Sequence, residues 1–544
     1  MDTVHPRADA QTSTRLAAAA FGAMLSIPFV LPAGIDPIPS FEAEWLAVVL
    51  GIVGLLAAGA GRHWAVPGVA LLPLAFAGLI LIQMAAGRLA LVSHGWLGIL
   101  YLFWAAALAC AGAWVRVHAR RDHIVVWLAW ALVAGALVNA FCAGVQVAGL
   151  FESGLVLPMT GSRAGGNLGQ PNHLAAHLVL GAASAAYLAG AGQLGRAASA
   201  AVTIALALGL HWAGSRSGWP MLAVLLAGSF AIRPAVGAAA ARVWRGQFAG
   251  LAAAWLVLDL VRVLLPGASG AAPAAFRLIG DAGSLVERLR IWEGALGMVR
   301  EAPLAGVGYG RFAESFLARA PGLTPPVPAT MTAHAHSLPL QVAAEFGLIG
   351  LVVLLGCAGA WFLQARRGRP VPESAWALAV AGTLGVHALV EYPLWFAYFL
   401  GPFAFALGLA EGARLEFRIA RAGSMAMGGV GLAAAVLLLT IALDYRVIRG
   451  FAEGEVARLD AATREARVRS LSDLRFQSLL AGYADVGLHR GLSLTPAYLP
   501  EKLALSGETV RMFPLPDVAF RHAMLLAMGG DSTGAALWWD RAVA

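Results

Sequence analysis

The 544-residue chain is 59% hydrophobic and only 12% charged, and its mean hydropathy of +0.74 excludes an ordinary soluble globular domain. Its formal charge is +8, but the arginines are scattered between apolar runs, so the surplus reads as membrane topology and not as nucleic-acid binding. Cys110, Cys142 and Cys357 lie inside apolar runs without CxxC spacing, which argues against a disulfide framework or a thiolate metal site.

The polar start MDTVHPRADAQTSTR precedes an apolar run with no convincing small-residue cleavage site, so this run is read as a retained first helix. A helix needs about 20 apolar residues to cross the hydrocarbon core. Runs of that order fall near 16–33, 44–60, 64–86, 95–115, 123–150, 173–192, 197–213, 217–232, 248–266, 338–364, 374–390, 393–410 and 424–443. The expected fold is an all-α polytopic membrane protein with about thirteen transmembrane helices. Short cytoplasmic loops concentrate basic residues. Placing Arg7 and Arg15 inside also places inside Arg62, the Arg116 to Arg121 cluster, Arg196, the Arg233 to Arg245 segment, the Arg366 to Arg369 cluster, and Arg414, Arg418 and Arg421.

The opposite face then receives the acidic link Asp36 to Glu44, the link around His94, loop 151–172, turn 214–217, the long loop 267–337, turn 391–393 and the C-terminal region. Beyond about Asp444 charges become frequent with helical periodicity, a soluble α-helical region. The expected division is a transmembrane domain over 1–443, including loop 267–337, and a helical region over 444–544. The end of that region reads as two short helices joined by a Gly-Gly-Asp turn, either a tetratricopeptide-like hairpin or a plain helical cap.

Five polar constellations share the outer face. In Gly161 to His173, GSRAGGNLGQPNH, Arg163, Asn167, Gln170 and Asn172 stand just before a span, where helix-start amides attract anions; the alternative is an ordinary loop capped by Asn172. AGSRSG carries Arg216 against the positive-inside bias, and a guanidinium fork suits phosphate oxygens, although an arginine at a boundary also snorkels. In the long loop Arg288 and Trp292 are one turn apart and share a helix face, while Arg290 points elsewhere. Gly306, Gly308 and Gly310 lack the preceding strand and acidic partner of a dinucleotide site, which is discarded. MTAHAHSLPL brings His334 and His336 to a water–lipid boundary, and imidazole is the side chain that titrates nearest neutrality. His-x-His without a spaced third ligand is a weak zinc pattern. HALVEYPLW places Glu391 and Tyr392 at a turn, where a tyrosine is also an ordinary interfacial aromatic.

The order GSRAGGNLGQPNHLA, GSRSG, R-x-x-x-W with PLAGVGYGRF, HAHSLPLQVAAEFGLIG and EYPLWF resembles the superfamily of O-antigen ligases, O-antigen polymerases and bacterial O-oligosaccharyltransferases. It looks most like the PglL-type protein O-oligosaccharyltransferases, over roughly residues 15 to 445. The family's catalytic histidine is commonly followed by asparagine, whereas Ser337 follows His336 here. The resemblance implies a GT-C-like enzyme of the bacterial inner membrane whose active site faces the periplasm. Its donor would be an oligosaccharide on undecaprenyl pyrophosphate, and its acceptor a Ser or Thr of a pilin-like or other periplasmic protein.

An acceptor hydroxyl needs a base as it attacks, and His336 is the candidate. Pyrophosphate departs with growing negative charge, and Arg163, Arg216 and Arg288 are the candidate cations, with no metal or cofactor required. By residue-by-residue likeness Gln170 and Asn172 position donor or acceptor and Tyr392 closes the site. His334 is secondary, with a solvated loop histidine as its alternative, and Glu391 either pairs with an arginine or orients the base. Ligation to lipid A core and glycan polymerisation use the same donor chemistry and stay as alternatives. A transporter is disfavoured because the polar clusters sit at one face and no inverted repeat is visible.

Overall fold

The computed structural model describes residues 8–543 apart from 33, 35–36, 61–62, 151–153, 160, 265–281, 320–331, 369, 419–420 and 453–459. Arg7, Asp36, Arg62, Arg369 and the loop stretches 267–281 and 320–331 lie outside the described residues. The chain is an all-α multi-pass membrane protein. Among the described residues eleven helices are long and apolar enough to span a bilayer, and two shorter apolar helices, Gly218–Ala231 and Ala397–Glu411, accompany them.

In chain order the helices are α1 (Ala8–Met24), α2 (Ile27–Val30), α3 (Phe41–Ala60), α4 (Leu71–Ala85), α5 (Val92–Asp122), α6 (Ile124–Val147), α7 (Pro171–Gly190), α8 (Arg196–Ala213), α9 (Gly218–Ala231) and α10 (Arg233–Leu264). They continue as α11 (Ala282–Glu301), α12 (Phe312–Arg319), α13 (Leu338–Arg367), α14 (Pro372–Val390), α15 (Ala397–Glu411), α16 (Arg421–Ala452), α17 (Ala461–Gln477), α18 (Ala481–Gly491), α19 (Leu499–Met512), α20 (Pro516–Met528) and α21 (Ser532–Val543). Each expected span coincides with a helix, with differences of extent. The basic stretch around Arg233 to Arg245, expected as a loop, is helical and continuous with α10, kinked at Gly237. Residues His63–Val66, of which 64–66 were expected in a span, form a strand β1 paired antiparallel with β2 (Leu415–Arg418).

Two compact units emerge. The first comprises Met1–Pro73, Trp104–Asp281 and Cys357–Ala435; the second comprises Leu74–Phe103, Ala282–Gly356 and Val436–Ala544.

The first unit is built around α7. From His173 to Leu188 every residue of this helix is buried, against α6, α8, α9, α10 and α14. A helix buried all round must be apolar or internally satisfied; here small residues let neighbours close in, and Ser184 accepts a bond from Trp376 Nε1 at 3.0 Å. At Gly181 a Cβ would lie 2.4 Å from that of Ala136, so only glycine permits this approach of α6 and α7.

The two ends of this unit are held by separate sets of bonds. At one end β1 and β2 pair, Gly68 and Val69 amides donate to the Glu411 carboxylate at 2.9 and 2.8 Å, and Arg116 Nη1 donates to the carbonyls of Leu409 and Ala410 at 3.2 and 2.9 Å. The 411–418 link and Arg116, expected on the basic face, thus bond to segments expected at the ends of neighbouring spans. At the other end Asn172, Ser215 and Glu391, from three loops expected on the opposite face, are joined directly.

In the second unit α13 is broken at Gly347, whose φ of 65° and ψ of −163° leave the helical region. A break inside a membrane helix frees backbone groups that cost several kcal/mol each when unpaired. The segment 303–310 pairs them: Leu348 and Ile349 amides donate to the carbonyls of Pro303 and Leu304, and the carbonyls of Ala344 and Glu345 accept from Val307 and Gly308. Gln83 of α4 completes the junction, donating to the carbonyls of Ala305 and Glu345 at 2.9 and 2.8 Å and accepting from the Tyr309 amide at 2.9 Å. Backbone approaches backbone so closely that a Cβ on Gly306 would lie 2.2 Å from Glu345 C, and one on Gly347 would lie 2.3 Å from Leu304 O. The glycine run that superficially resembles a nucleotide loop is therefore a lock on a broken helix.

The C-terminal helices α17–α21 also belong to the second unit. Helices α20 and α21 are joined at Gly529–Gly530–Asp531, where Asp531 Oδ1 accepts from the Gly534 amide at 2.8 Å. Between α18, α19 and α20, buried Ser506 bridges His489 Nε2 and His522 Nδ1 at 2.8 Å each.

Candidate active site

The expected site residues fall in both units: Arg163, Gln170, Asn172, Arg216, Glu391 and Tyr392 in the first, and Arg288, His334 and His336 in the second.

In the first unit, loop 155–170 is suspended from buried side-chain amides of α6. Gln146 accepts from the Gly165 and Gly166 amides at 3.1 and 2.9 Å and donates to the carbonyls of Leu157 and Gly166 at 2.8 and 3.0 Å. Asn139 accepts from the Asn167 amide at 3.0 Å and donates to the Phe29 carbonyl at 2.7 Å. Asn167 is spent on the loop itself, donating to the carbonyls of Val30 and Leu155. The cap of α7 is Gln170 and not Asn172: its Oε1 accepts from the His173 amide at 2.6 Å, with Pro171 at the first helical position.

Asn172, released from capping, is the centre of a polar relay. Ser215 Oγ donates to Asn172 Oδ1 at 2.7 Å, and Asn172 Nδ2 donates to Glu391 Oε1 at 2.7 Å. Since the single proton of Ser215 is committed there, Ser217 donates to Ser215 across their 2.8 Å contact. Ser215, Ser217 and Glu391 are buried, so the relay fixes three loops in a low-dielectric setting where each bond is hard to replace. Half-buried Arg216 is carried between the two serines, and Arg163 passes over Gly214, whose Cβ would lie 3.5 Å from Arg163 Cδ. The Arg163 side chain thus packs against the turn that carries Arg216.

Tyr392 follows Glu391 and has edge or tilted contacts with His173 and Phe396 at ring separations of 6.4 and 5.9 Å. Burial, then the Glu391 carboxylate, push its phenol above the ordinary range, so it stays a neutral hydrogen-bonding group at physiological pH.

In the second unit the segment 334–337 leads into α13. Ala335 is fully buried; its N–H donates to Gln341 Oε1 at 2.7 Å and its carbonyl accepts from Trp292 Nε1 at 3.0 Å. His336 is half-buried with a φ of 49°, one of three non-glycine residues with positive φ among the described residues. Arg288 lies one turn before Trp292 on the same face of α11, as the spacing requires, while Arg290 pairs with Glu293 at 2.7 Å. His334 is pushed down to about 3 by burial, then by His336 and His94, and so remains neutral at any physiological pH. Among the described residues no group of three or more His, Cys, Asp or Glu is arranged to hold a metal ion.

Residues 201–355 match a family model described as O-Antigen ligase, and residues 375–544 match one described as Virulence factor membrane-bound polymerase, C-terminal. The chain is also similar to the General O-oligosaccharyltransferase of Acinetobacter baylyi, 26% identical over 396 residues, covering 71% of this chain and 68% of that protein. The two matches and this relative support the O-antigen ligase superfamily for the chain.

The first match contains Arg216, Arg288, Trp292, His334, His336 and Gln341; the second contains Glu391, Tyr392 and the whole helical tail. Sequence reading left unassigned the amides Gln83, Asn139, Gln146 and Gln341, and the histidines His177 and His387. Polar residues inside apolar spans carried that signal: Asn139 and Gln146 interrupt the run 123–150, and His177 recurs one turn after His173. His177 stacks on Phe29 at 4.3 Å with Nδ1 3.0 Å from Asn139 Nδ2, and His387 contacts His173 edge-on at 5.9 Å.

Proposed function

We propose that this membrane glycosyltransferase is a protein O-oligosaccharyltransferase, moving a glycan from undecaprenyl pyrophosphate to a Ser or Thr hydroxyl of a pilin-like or other periplasmic protein. The observation that carries this reading is the similarity to a General O-oligosaccharyltransferase over 71% of the chain. The protein sits in the inner membrane, with the basic loops at the cytoplasm and the His336 and Asn172 loops toward the periplasm, the arrangement favoured by the positive-inside bias.

In the reaction His336 takes the proton of the acceptor hydroxyl as its oxygen attacks the anomeric carbon. The bond from that carbon to the phosphate oxygen breaks, and its electron pair leaves with undecaprenyl pyrophosphate, inverting the anomeric centre. Arg163, Arg216 and Arg288 stabilise the charge growing on the leaving group, so the scheme needs no metal. Neutral Tyr392 and the Asn172 amide are suited to sugar hydroxyls or the acceptor backbone, Gln170 caps the helix that carries Asn172, neutral His334 supplies a hydrogen bond, and Glu391 orients Asn172.

The family descriptions naming a ligase and a polymerase support a second reading, in which the acceptor is lipid A core or a growing glycan. Supplying the purified full-length protein with a lipid-linked oligosaccharide and either a pilin-like protein or lipid A core separates them. Glycan on the protein is expected; glycan only on lipid A core overturns the protein-acceptor reading. A chelator is expected to leave the rate unchanged, and a loss restored by added metal would refute the metal-free scheme.

A further inference from the structure

We propose that Trp292 and Gln341 are positioning residues that set the backbone at His336, and through it the direction of the imidazole; this rests on His336 being the base. Ala335 is fully buried, so its peptide groups must be bonded or cost free energy. Neither goes to backbone. The N–H is taken by Gln341 Oε1 at 2.7 Å from the first turn of α13, and the carbonyl by Trp292 Nε1 at 3.0 Å from the middle of α11. Two side chains from two helices thus fix the residue immediately before His336 from both sides. Immediately after it, the Ser337 carbonyl accepts the Gln341 amide at 2.9 Å and starts α13.

Between these anchors His336 has a φ of 49°, in the left-handed region, which costs a residue with a Cβ about 1 kcal/mol or more. Such a conformation persists where its surroundings over-determine it, and here the anchors are identified. Gln341 is buried and its oxygen serves the Ala335 amide. Trp292 is half-buried, and its ring belongs to the face of α11 that also carries Arg288. In this proposal both act through His336 and not on the substrate.

The test is steady-state transfer by the full-length protein, with kcat and KM measured for lipid-linked oligosaccharide and acceptor. Gln341→Leu removes the acceptor oxygen and Trp292→Phe removes the N–H while keeping an aromatic ring. Each is expected to lower kcat about 10- to 100-fold with donor KM changed by less than about threefold. Gln341→Glu, held protonated beside buried Glu345, retains an acceptor oxygen at that position and is expected to recover most of kcat. In a His336→Ala background, read as residual transfer over long incubation, Gln341→Leu is expected to add no further loss, because the two act as one unit.

Wild-type kcat in both Gln341→Leu and Trp292→Phe, with His336→Ala inactive, overturns the positioning role and leaves the base intact. Near-normal turnover of His336→Ala overturns the base reading instead. An equal loss for Gln341→Leu and Gln341→Glu, repeated in the His336→Ala background, identifies a structural role and also overturns the inference. Trp292→Phe keeps the test available where Gln341→Leu lowers the yield of folded protein.

Discussion

The polar relay of the first unit and the histidine segment of the second are held by opposite means. Asn172, Ser215, Ser217 and Glu391 bond side chain to side chain from helix ends whose backbone is otherwise regular. His336 is placed by backbone geometry: a left-handed residue, a neighbour clamped at both peptide groups, and a helix broken at Gly347 and sealed by a glycine-rich segment. The first construction depends on which polar groups are present and tolerates isosteres. The second also depends on where atoms are missing, and at its glycines it tolerates almost nothing.

That contrast is broken most forcefully at the glycines. Gly347→Ala or Gly306→Ala places a Cβ 2.4 Å or less from backbone atoms at a positive φ, and is expected to cost about 3 kcal/mol or more, seen as loss of folded protein in detergent melts. A stable Gly306→Ala would show that the 303–310 segment is not locked. Next, Arg216→Ala and Arg288→Ala are each expected to weaken donor use about 10- to 100-fold with acceptor KM little changed. A defect confined to the acceptor would remove both from the leaving group.

The relay should give smaller and more forgiving effects. Glu391→Ala leaves the Asn172 amide short of its acceptor and is expected to cost about 1–3 kcal/mol of stability, whereas Glu391→Gln keeps an oxygen and recovers most of it. Equal losses for the two variants would mean that charge, and not the hydrogen bond, holds the loops.

Apart from both regions, an effect of pH is expected in the helical tail. His489 and His522 are held down to about 4 in the folded state against 6.5 when free, burial being the first cause for both. Arg521 and Arg490 reinforce this at His489 and Asp517 opposes it. The native tail therefore binds fewer protons between these values, so this contribution is complete above pH 6.5 and declines toward pH 4. Asp485, pushed up to about 6 by burial against the pull of Arg475, favours the folded tail at low pH and offsets part of the loss. A net decrease of about 3 kcal/mol between pH 7 and 4.5 is expected, measured as lower amide protection factors, corrected for the pH dependence of intrinsic exchange, in α18–α20. Unchanged protection would place the His489–Ser506–His522 bridge in water.

Much of this was legible in advance because membrane spans announce themselves by hydropathy, and because polar residues at the expected outer turns had few apolar neighbours to hide them. Asn172 and Glu391 were legible as polar residues at expected turns, as were the arginines and histidines of the loops, whereas Ser215 and Ser217 were not singled out. The break at Gly347 was not, since glycine in an apolar run is common and the break exists only because 303–308 supplies replacement bonds. Nor was the ribbon β1–β2, whose short strands meet only through a distant pairing of 63–66 with 415–418. Asn172 resembled a cap because asparagine usually is one, but Pro171 at the first helical position marks Gln170 as the residue before the helix.

The central claim, that His336 activates the acceptor hydroxyl, is tested most directly by His336→Ala in a transfer assay with lipid-linked oligosaccharide and acceptor protein, alongside a melt of the same preparation. The expected result is transfer reduced to background with insertion and melting temperature close to wild type; near-normal turnover by the folded variant would contradict it.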